Sequence, residues 1–231
     1  MTPQARGLRF PRLLVVADLA YLGDEARWLE VVREVGAAAR GEPVAVQVRA
    51  KQLDAEALMR LAARAREAVP AEVPLLLNNG DAALAAALGY SGVHWPEVAI
   101  PATDVMRPDG LAWRSAAVHS PAAIRAAVQA GADVVVFGSV FEPGSKAGMA
   151  SGLDALRTAV RATALPVMAI GGITVERVSA CLDAGAHGVA VVSGVLGASS
   201  PAKAMRAYLD ALAAHIETEG AGEPAQKGGF R

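Results

Sequence analysis

The chain has 231 residues, of which 53% are hydrophobic, and a formal net charge of −1, so it carries enough apolar material for one sizeable core. The near-zero charge and the 4% aromatic content argue against a nucleic-acid partner or an anionic membrane surface. The single cysteine, Cys181, excludes an intrachain disulfide and favours a reducing, cytoplasmic location, and no apolar run reaches the roughly 18 residues of a membrane span.

Short apolar runs alternate along the chain with longer segments of helical spacing. The runs predict eight strands, at Leu13–Ala17, Val44–Val48, Pro74–Asn78, Gly92–Trp95, Ala112–His119, Val134–Phe137, Pro166–Ile170 and Gly188–Val192. The longer segments predict helices at Asp24–Arg40, Asp54–Ala68, Ala82–Leu88, Pro121–Ala130, Leu153–Thr163, Val175–Ala184 and Pro201–Ile216, with Asp54, Ser120 and Thr174 as N-caps. Three prolines break the segment after the fourth strand, and no helix is predicted there.

The continuous apolar character of these strands indicates burial on both faces, as in a parallel sheet. Eight strand–helix units in a chain of this length predict an α/β protein with a single (β/α)8 TIM-barrel domain over residues 8–216. A doubly wound open sheet is the alternative, although no early G-x-G-x-x-G motif supports it. Residues 217–231 lack apolar periodicity and predict a flexible C-terminal tail.

Polar side chains follow the second and third strands, at the barrel end where function collects. Gln47, Arg49 and Lys51 alternate, so they face one side of an extended chain. Two cations and an amide there suit an anionic ligand, although a solvated strand end has the same pattern. Asn78 and Asn79 are placed to hydrogen-bond a ligand or merely to form an Asn-Gly turn.

Small residues follow the last two strands. Gly171 and Gly172 come after the seventh, and Ser193 and Gly194 after the eighth, with a short extra helix predicted to begin at Val195–Leu196. Backbone N–H groups without obstructing side chains bind anions, and barrels commonly hold phosphate between these two loops. The pattern therefore predicts a phosphate site.

The sixth strand leads into the polar loop FGSVFEPGSKAG. Its Lys146 is long enough to reach a phosphate or a developing anion, although an ordinary exposed loop would also carry a lysine. His94 and His119 end one strand each without metal-ligand spacing, so a structural role is the simpler interpretation of both.

The chain from about Leu13 to His215 resembles the thiamine phosphate synthase/TenI superfamily. The most specific stretches are PVMAIGGITVERVSACLDAGAHGVAVVSGV, QVRAK, GVHW and FGSVFEPGSKAG. The resemblance implies a protein of thiamine biosynthesis that binds a small phosphorylated substrate, a thiazole phosphate, and forms a homo-oligomer. The synthase joins hydroxymethylpyrimidine diphosphate to thiazole phosphate with Mg²⁺, whereas TenI proteins tautomerise a thiazole carboxylate phosphate.

Two metal-binding carboxylates of the synthase pattern are missing. Asn79 stands where the resemblance expects an Asp, unless a one-residue shift lets Asp81 serve, and Ala99 stands near the second position, with only Glu97 close. Gln47, Arg49, Lys51 and Asn78 do match the pyrimidine- and pyrophosphate-binding residues. The resemblance thus predicts no metal ligands and no cofactor, with Mg²⁺ required only if the chain is a synthase.

The phrases VFGSVFE and VHS are closer to the TenI pattern. The acid/base histidine that TenI proteins carry after FG is Ser139 here, and serine has no useful pKa near neutrality. We predict a TenI-like tautomerase, with the synthase as the alternative and a non-catalytic thiazole phosphate-binding or regulatory protein as a further one. The predicted catalytic residues are Ser139, Glu142 and Lys146, and the predicted substrate-binding residues are Gln47, Arg49, Lys51, Asn78, Asn79, His119 and Ser145.

Overall fold

The computed structural model describes residues 9–78, 81–142 and 150–220. Its eight parallel strands hydrogen-bond in chain order, and the first pairs with the last, so the sheet closes into a barrel. This confirms the predicted TIM barrel and excludes the open sheet. The strands are β1 Leu13–Asp18, β2 Val44–Arg49, β3 Leu75–Asn78, β4 Gly92–Trp95, β5 Trp113–Val118, β6 Val134–Gly138, β7 Val167–Ile170 and β8 Gly188–Val191.

Helices follow the strands on the outside of the barrel. They are α1 Leu19–Leu22, α2 Glu25–Ala38, α3 Ala55–Ala68, α4 Ala82–Ala87, α5 Pro121–Gln129, α6 Gly152–Arg161, α7 Val178–Asp183, α8 Ser193–Leu196 and α9 Pro201–Gly220, with 3₁₀ turns at Glu97–Ala99 and Val175–Arg177. No helix among the described residues is long and apolar enough to cross a membrane.

Most helix starts agree with the sequence. Asp54 and Ser120 cap α3 and α5, and each side chain accepts a backbone hydrogen bond from the residue three positions on. Thr174 was expected to cap a single helix, but the segment begins as a 3₁₀ turn and Thr174 makes no capping side-chain bond. Helix α9 runs to Gly220, four residues beyond the predicted end, and the remaining tail lies outside the described residues.

Alternate residues of each strand point into the barrel interior. The side chains at these inward positions differ in polarity between the two ends of the barrel. Near the N-terminal ends of the strands the interior is apolar, and Phe10 closes it by packing edge-on against Trp113 with ring centroids 5.3 Å apart. The buried residues of this apolar cluster also include Leu14, Ala45, Leu76, Val134 and Met168. Nearer the C-terminal ends the inward positions carry buried polar side chains, at Gln47, Asn78, His94 and Ser115.

The connection between β4 and β5 has no α-helix, as the prolines predict. It is anchored by Asp133, whose carboxylate accepts from the Arg107 guanidinium at 2.9 Å and from the Arg114 backbone N–H at 2.7 Å. The buried Arg114 guanidinium also bonds Asp104 at 2.5 Å. These contacts hold the second half of the connection, before β5. Its first half, directly after β4, carries Glu97 into the site.

Candidate functional site

A cavity of about 950 Å³ opens at the C-terminal end of the barrel, where the sequence predicted the site. Its volume is at the upper end of the range for small-molecule sites, about 300–1,000 Å³. Of the predicted residues, those that line it are Gln47, Arg49, Lys51, Asn78, His119, Ser139, Gly171, Gly172, Ser193 and Gly194. One cavity therefore joins the side chains that follow β2 with the glycine loops that follow β7 and β8.

The side chains at the end of β2 are held in place by neighbouring strands. The buried Gln47 amide oxygen accepts a hydrogen bond from Asn78 Nδ2 at 3.2 Å. Arg49 forms an ion pair with the carboxylate of Asp18, the last residue of β1. Asp18 Oδ1 also accepts the Ala20 backbone N–H at 3.1 Å, so the carboxylate caps α1 while it orients Arg49. The sequence analysis missed Asp18, although its position beside Arg49 follows from the β1–β2 register.

His94 belongs to the site, which the sequence analysis also missed. The ring is buried, and Nδ1 lies 2.9 Å from Ser115 Oγ on β5. Burial, together with the positive charges of Arg49 and Lys51, lowers the pKa of His94 to about 3. The imidazole is therefore neutral at neutral pH, and with Nδ1 bonded to Ser115 its Nε2 is the nitrogen left for a ligand.

Glu97 and His119 form a hydrogen-bonded pair that also lines the cavity. Glu97 Oε2 lies 2.6 Å from His119 Nδ1 and accepts the His119 backbone N–H at 2.8 Å. The carboxylate thus fixes the orientation of an exposed imidazole at the end of β5. A carboxylate–imidazole pair of this kind is able to exchange a proton with a bound molecule.

Ser139 lies directly against the glycine loop. A Cβ placed on Gly171 would lie 2.5 Å from Ser139 Cβ and 2.7 Å from its hydroxyl oxygen. Gly171 also has φ +99°, a conformation that residues with side chains rarely adopt. The backbone of Phe141 donates to the Gly171 carbonyl at 3.0 Å. Ser139 and Phe141, after β6, therefore pack directly against the glycine loop after β7, and glycine is required at position 171.

Glu142 was predicted to be catalytic but is not among the residues that line the cavity. Its side chain is exposed, and its backbone carbonyl occupies the space that a Cβ on Gly172 would need. The structure therefore does not place Glu142 as a proton shuttle for Ser139. The other predicted residues, Asn79, Ser145 and Lys146, lie outside the described residues.

The carboxylates of the cavity do not fit the two-carboxylate Mg²⁺ site that the resemblance implies. Asp18 and Glu97 line the cavity, but the first is paired with Arg49 and the second with His119. Asp81, considered as a substitute ligand, caps α4 through the Leu84 N–H at 2.8 Å and does not line the cavity. Within the described parts of the chain, no group of three His, Cys, Asp or Glu side chains is placed to hold a metal ion.

Comparison with known proteins finds a family match and individual relatives that agree with it. Residues 20–195 match the TMP-TENI family, described as thiamine monophosphate synthase. A thiamine-phosphate synthase of Roseiflexus castenholzii is 39% identical over 218 residues, which cover 91% of this chain and 90% of that protein. A bifunctional ThiM/ThiE protein of thiamine biosynthesis from Symbiobacterium thermophilum is 41% identical over 170 residues, which cover 71% of this chain but only 35% of that longer protein.

A solved structure has the same architecture. The thiamine phosphate pyrophosphorylase of Pyrococcus furiosus superposes with a TM-score of 0.71 at 28% identity, covering 89% of this chain and 97% of that one. The match therefore extends over most of this chain and nearly all of the solved one.

Proposed function

Because the chain belongs to the thiamine monophosphate synthase/TenI family, we propose that it is a thiamine-biosynthesis enzyme that couples hydroxymethylpyrimidine diphosphate to thiazole phosphate. The sequence alone favoured the TenI-like tautomerase. The relatives named thiamine-phosphate synthase favour the coupling reaction instead, and the geometry of the cavity supports it.

One observation carries the proposal: a single cavity is lined by two kinds of anion-binding group. Arg49 and Lys51, after β2, supply side-chain cations and form what we call the cation end, while Gly171, Gly172 and Gly194, after β7 and β8, expose backbone and form the glycine end. The first end suits a diphosphate and the second a phosphate monoester. A cavity of about 950 Å³ has room for two ligands, as a reaction between two phosphorylated substrates requires.

The chemistry of coupling is compatible with serine at position 139. The bond between the pyrimidine methylene carbon and the diphosphate oxygen breaks, and the thiazole nitrogen lone pair forms the new C–N bond. No proton has to be removed from the thiazole nitrogen, so an imidazole at position 139 is not needed. In this proposal Arg49 and Lys51, which line the cavity, stabilise the charge that develops on the departing pyrophosphate.

The test is formation of thiamine phosphate from the two purified substrates. We expect product in the presence of millimolar Mg²⁺, which is added as the counterion of the diphosphate substrate and not as an ion held by the cavity carboxylates. A parallel assay with EDTA measures how far Arg49 and Lys51 suffice without it. Absence of product in both assays, with the two substrates still bound, would contradict the proposal.

Tautomerisation of a thiazole carboxylate phosphate is the second candidate, and the Glu97–His119 pair favours it. This pair offers a base at the cavity that does not depend on position 139. Asn79 and Ala99, which stand where the synthase pattern has metal-binding carboxylates, also favour the tautomerase. Turnover of the tautomerase substrate that is lost in His119→Gln, in a protein that forms no thiamine phosphate, would establish this candidate in place of the synthase.

A further inference from the structure

Tyr208 on α9 lies behind the loop that follows β7. The side chain is buried, and its hydroxyl donates a hydrogen bond to the Ile173 carbonyl at 2.9 Å. Ile173 comes directly after the two glycines of this loop and itself lines the cavity. Since a peptide unit is planar, holding this carbonyl fixes the orientation of the backbone at the end of the glycine turn.

The same hydroxyl also lies against the loop that follows β8. A Cβ placed on Gly194 would collide with the Tyr208 hydroxyl oxygen and would lie 3.0 Å from the ring carbon that bears it. Gly194 is in α8 and lines the cavity. One side chain of α9 therefore touches both halves of the glycine end, while Tyr208 is not itself among the cavity-lining residues.

The chemistry of the hydroxyl suits a permanent donor. Burial, together with the negative charge of Glu176, raises the pKa of Tyr208, so the phenol keeps its proton at neutral pH. A buried carbonyl that loses its donor is costly, so the bond to Ile173 resists rearrangement of the loop. The glycines supply conformational freedom that the site has to restrict, and Tyr208 is placed to restrict it.

We infer that Tyr208 is a positioning residue for the phosphate-binding end of the cavity. It sets the spacing of the loops after β7 and β8 without touching the ligand. The inference rests on the proposed function insofar as the ligand of this end is a phosphate monoester. It concerns the glycine end alone, so removing the hydroxyl should weaken phosphate binding and leave the Arg49 and Lys51 end unaffected.

The test compares Tyr208→Phe with a matched control, Tyr90→Phe. Tyr90 is equally buried, and its hydroxyl donates to the Ala62 carbonyl at the same distance, 2.9 Å, but it does not line the cavity. We expect both variants to lose similar thermal stability. Tyr208→Phe alone should raise the KM for thiazole phosphate about fivefold, as expected for one lost hydrogen bond, with the KM for the pyrimidine diphosphate unchanged.

A second measurement separates this inference from the proposed function. Inorganic phosphate, titrated by calorimetry, should bind Tyr208→Phe about fivefold more weakly than the wild type and bind Tyr90→Phe normally, whether or not the protein makes thiamine phosphate. Equal phosphate affinity in the two variants would overturn the positioning role. A wild-type protein that binds phosphate but forms no product would overturn the synthase proposal alone.

Discussion

The two ends of the barrel interior are built from alternate residues of the same strands, yet their side chains differ in polarity and in packing. At the N-terminal end, apolar side chains such as Leu76 and Met168 fill the interior, and Phe10 and Trp113 close it. At the C-terminal end, polar side chains join apolar ones such as Val16 and Ala190 at the inward positions, and together they line a cavity. The first end can only contribute to stability, whereas the second holds groups that a ligand can reach.

The polar end remains compatible with folding because its groups are satisfied in pairs. The pairs are Asp18 with Arg49, Gln47 with Asn78, His94 with Ser115 and Glu97 with His119. Among the described residues, no buried side-chain nitrogen or oxygen is left without a hydrogen-bond partner. Polar groups buried in this way cost far less than unpaired ones, so the barrel can carry a polar layer above its apolar one.

The largest expected effect lies at the apolar end. Trp113→Ala removes a buried ring and its contact with Phe10, and should lower the free energy of unfolding by about 3–5 kcal/mol. Urea unfolding measures this loss. The affinity of the folded protein for thiazole phosphate should stay within about twofold of the wild type, since one hydrogen bond or more would have to be lost for a larger change. A loss below about 1 kcal/mol would show that this end does not carry the stability.

At the cation end of the cavity, Arg49→Met should weaken binding of inorganic pyrophosphate about 30-fold, through loss of a charge-assisted hydrogen bond. The variant also leaves the Asp18 carboxylate without its partner, so the double variant Asp18→Asn/Arg49→Met serves as the control for that orphaned charge. Calorimetry on both proteins checks the result. Wild-type pyrophosphate affinity in the double variant would mean that the diphosphate binds elsewhere.

At the glycine end, Gly171→Ala should weaken phosphate binding about tenfold, because the new Cβ collides with Ser139 and displaces the loop. The matched control is Gly41→Ala. Gly41 also has a positive φ, +72°, but a Cβ there meets no atom within 4 Å. Both variants should lose about 1 kcal/mol of stability from backbone strain, and Gly171→Ala should lose more because its Cβ also collides with Ser139. Equal phosphate affinity in the two proteins would contradict the assigned role of this loop.

The smallest effect concerns the pH dependence of stability. The pKa of His94 is about 3 in the folded protein and near 6.5 when unfolded, so the unfolded chain binds the extra proton between these values. The contribution of neutral His94 is full above pH 6.5 and is lost as the pH falls toward 3. Between pH 6.5 and about 5.5, wild type should lose about 1 kcal/mol more than His94→Gln. Parallel pH profiles would show that His94 is not held neutral.

The sequence was sufficient to predict the fold and ten of the residues that line the cavity. Buried parallel strands alternate with helices in a regular order, and strand-end polarity marks one face of a barrel. The pairing of Asp18 with Arg49 was missed because it joins residues 31 positions apart, through the β1–β2 register. His94 was taken as structural because no metal-ligand spacing accompanied it. Gly92 and His94 are two positions apart on one strand and so face the same side, which is the barrel interior.

Loop geometry was harder to predict than strand geometry. Glu142 follows the sixth strand closely in sequence, yet the residue is exposed and its carbonyl lies against Gly172. The Glu97–His119 pair depends on a 3₁₀ turn after β4, and the Tyr208 contact depends on how α9 packs behind two other loops. Such contacts arise from tertiary packing, which no local pattern in the chain encodes.

The separateness of the two anion-binding ends is tested most directly by titrating thiazole phosphate in the absence and presence of saturating inorganic pyrophosphate. We predict that both ligands bind at once, with the Kd for thiazole phosphate changing by less than about threefold, because each anion has its own end of the cavity. A Kd that rises in proportion to the pyrophosphate concentration would show that the two anions compete for one site and would contradict the two-substrate cavity.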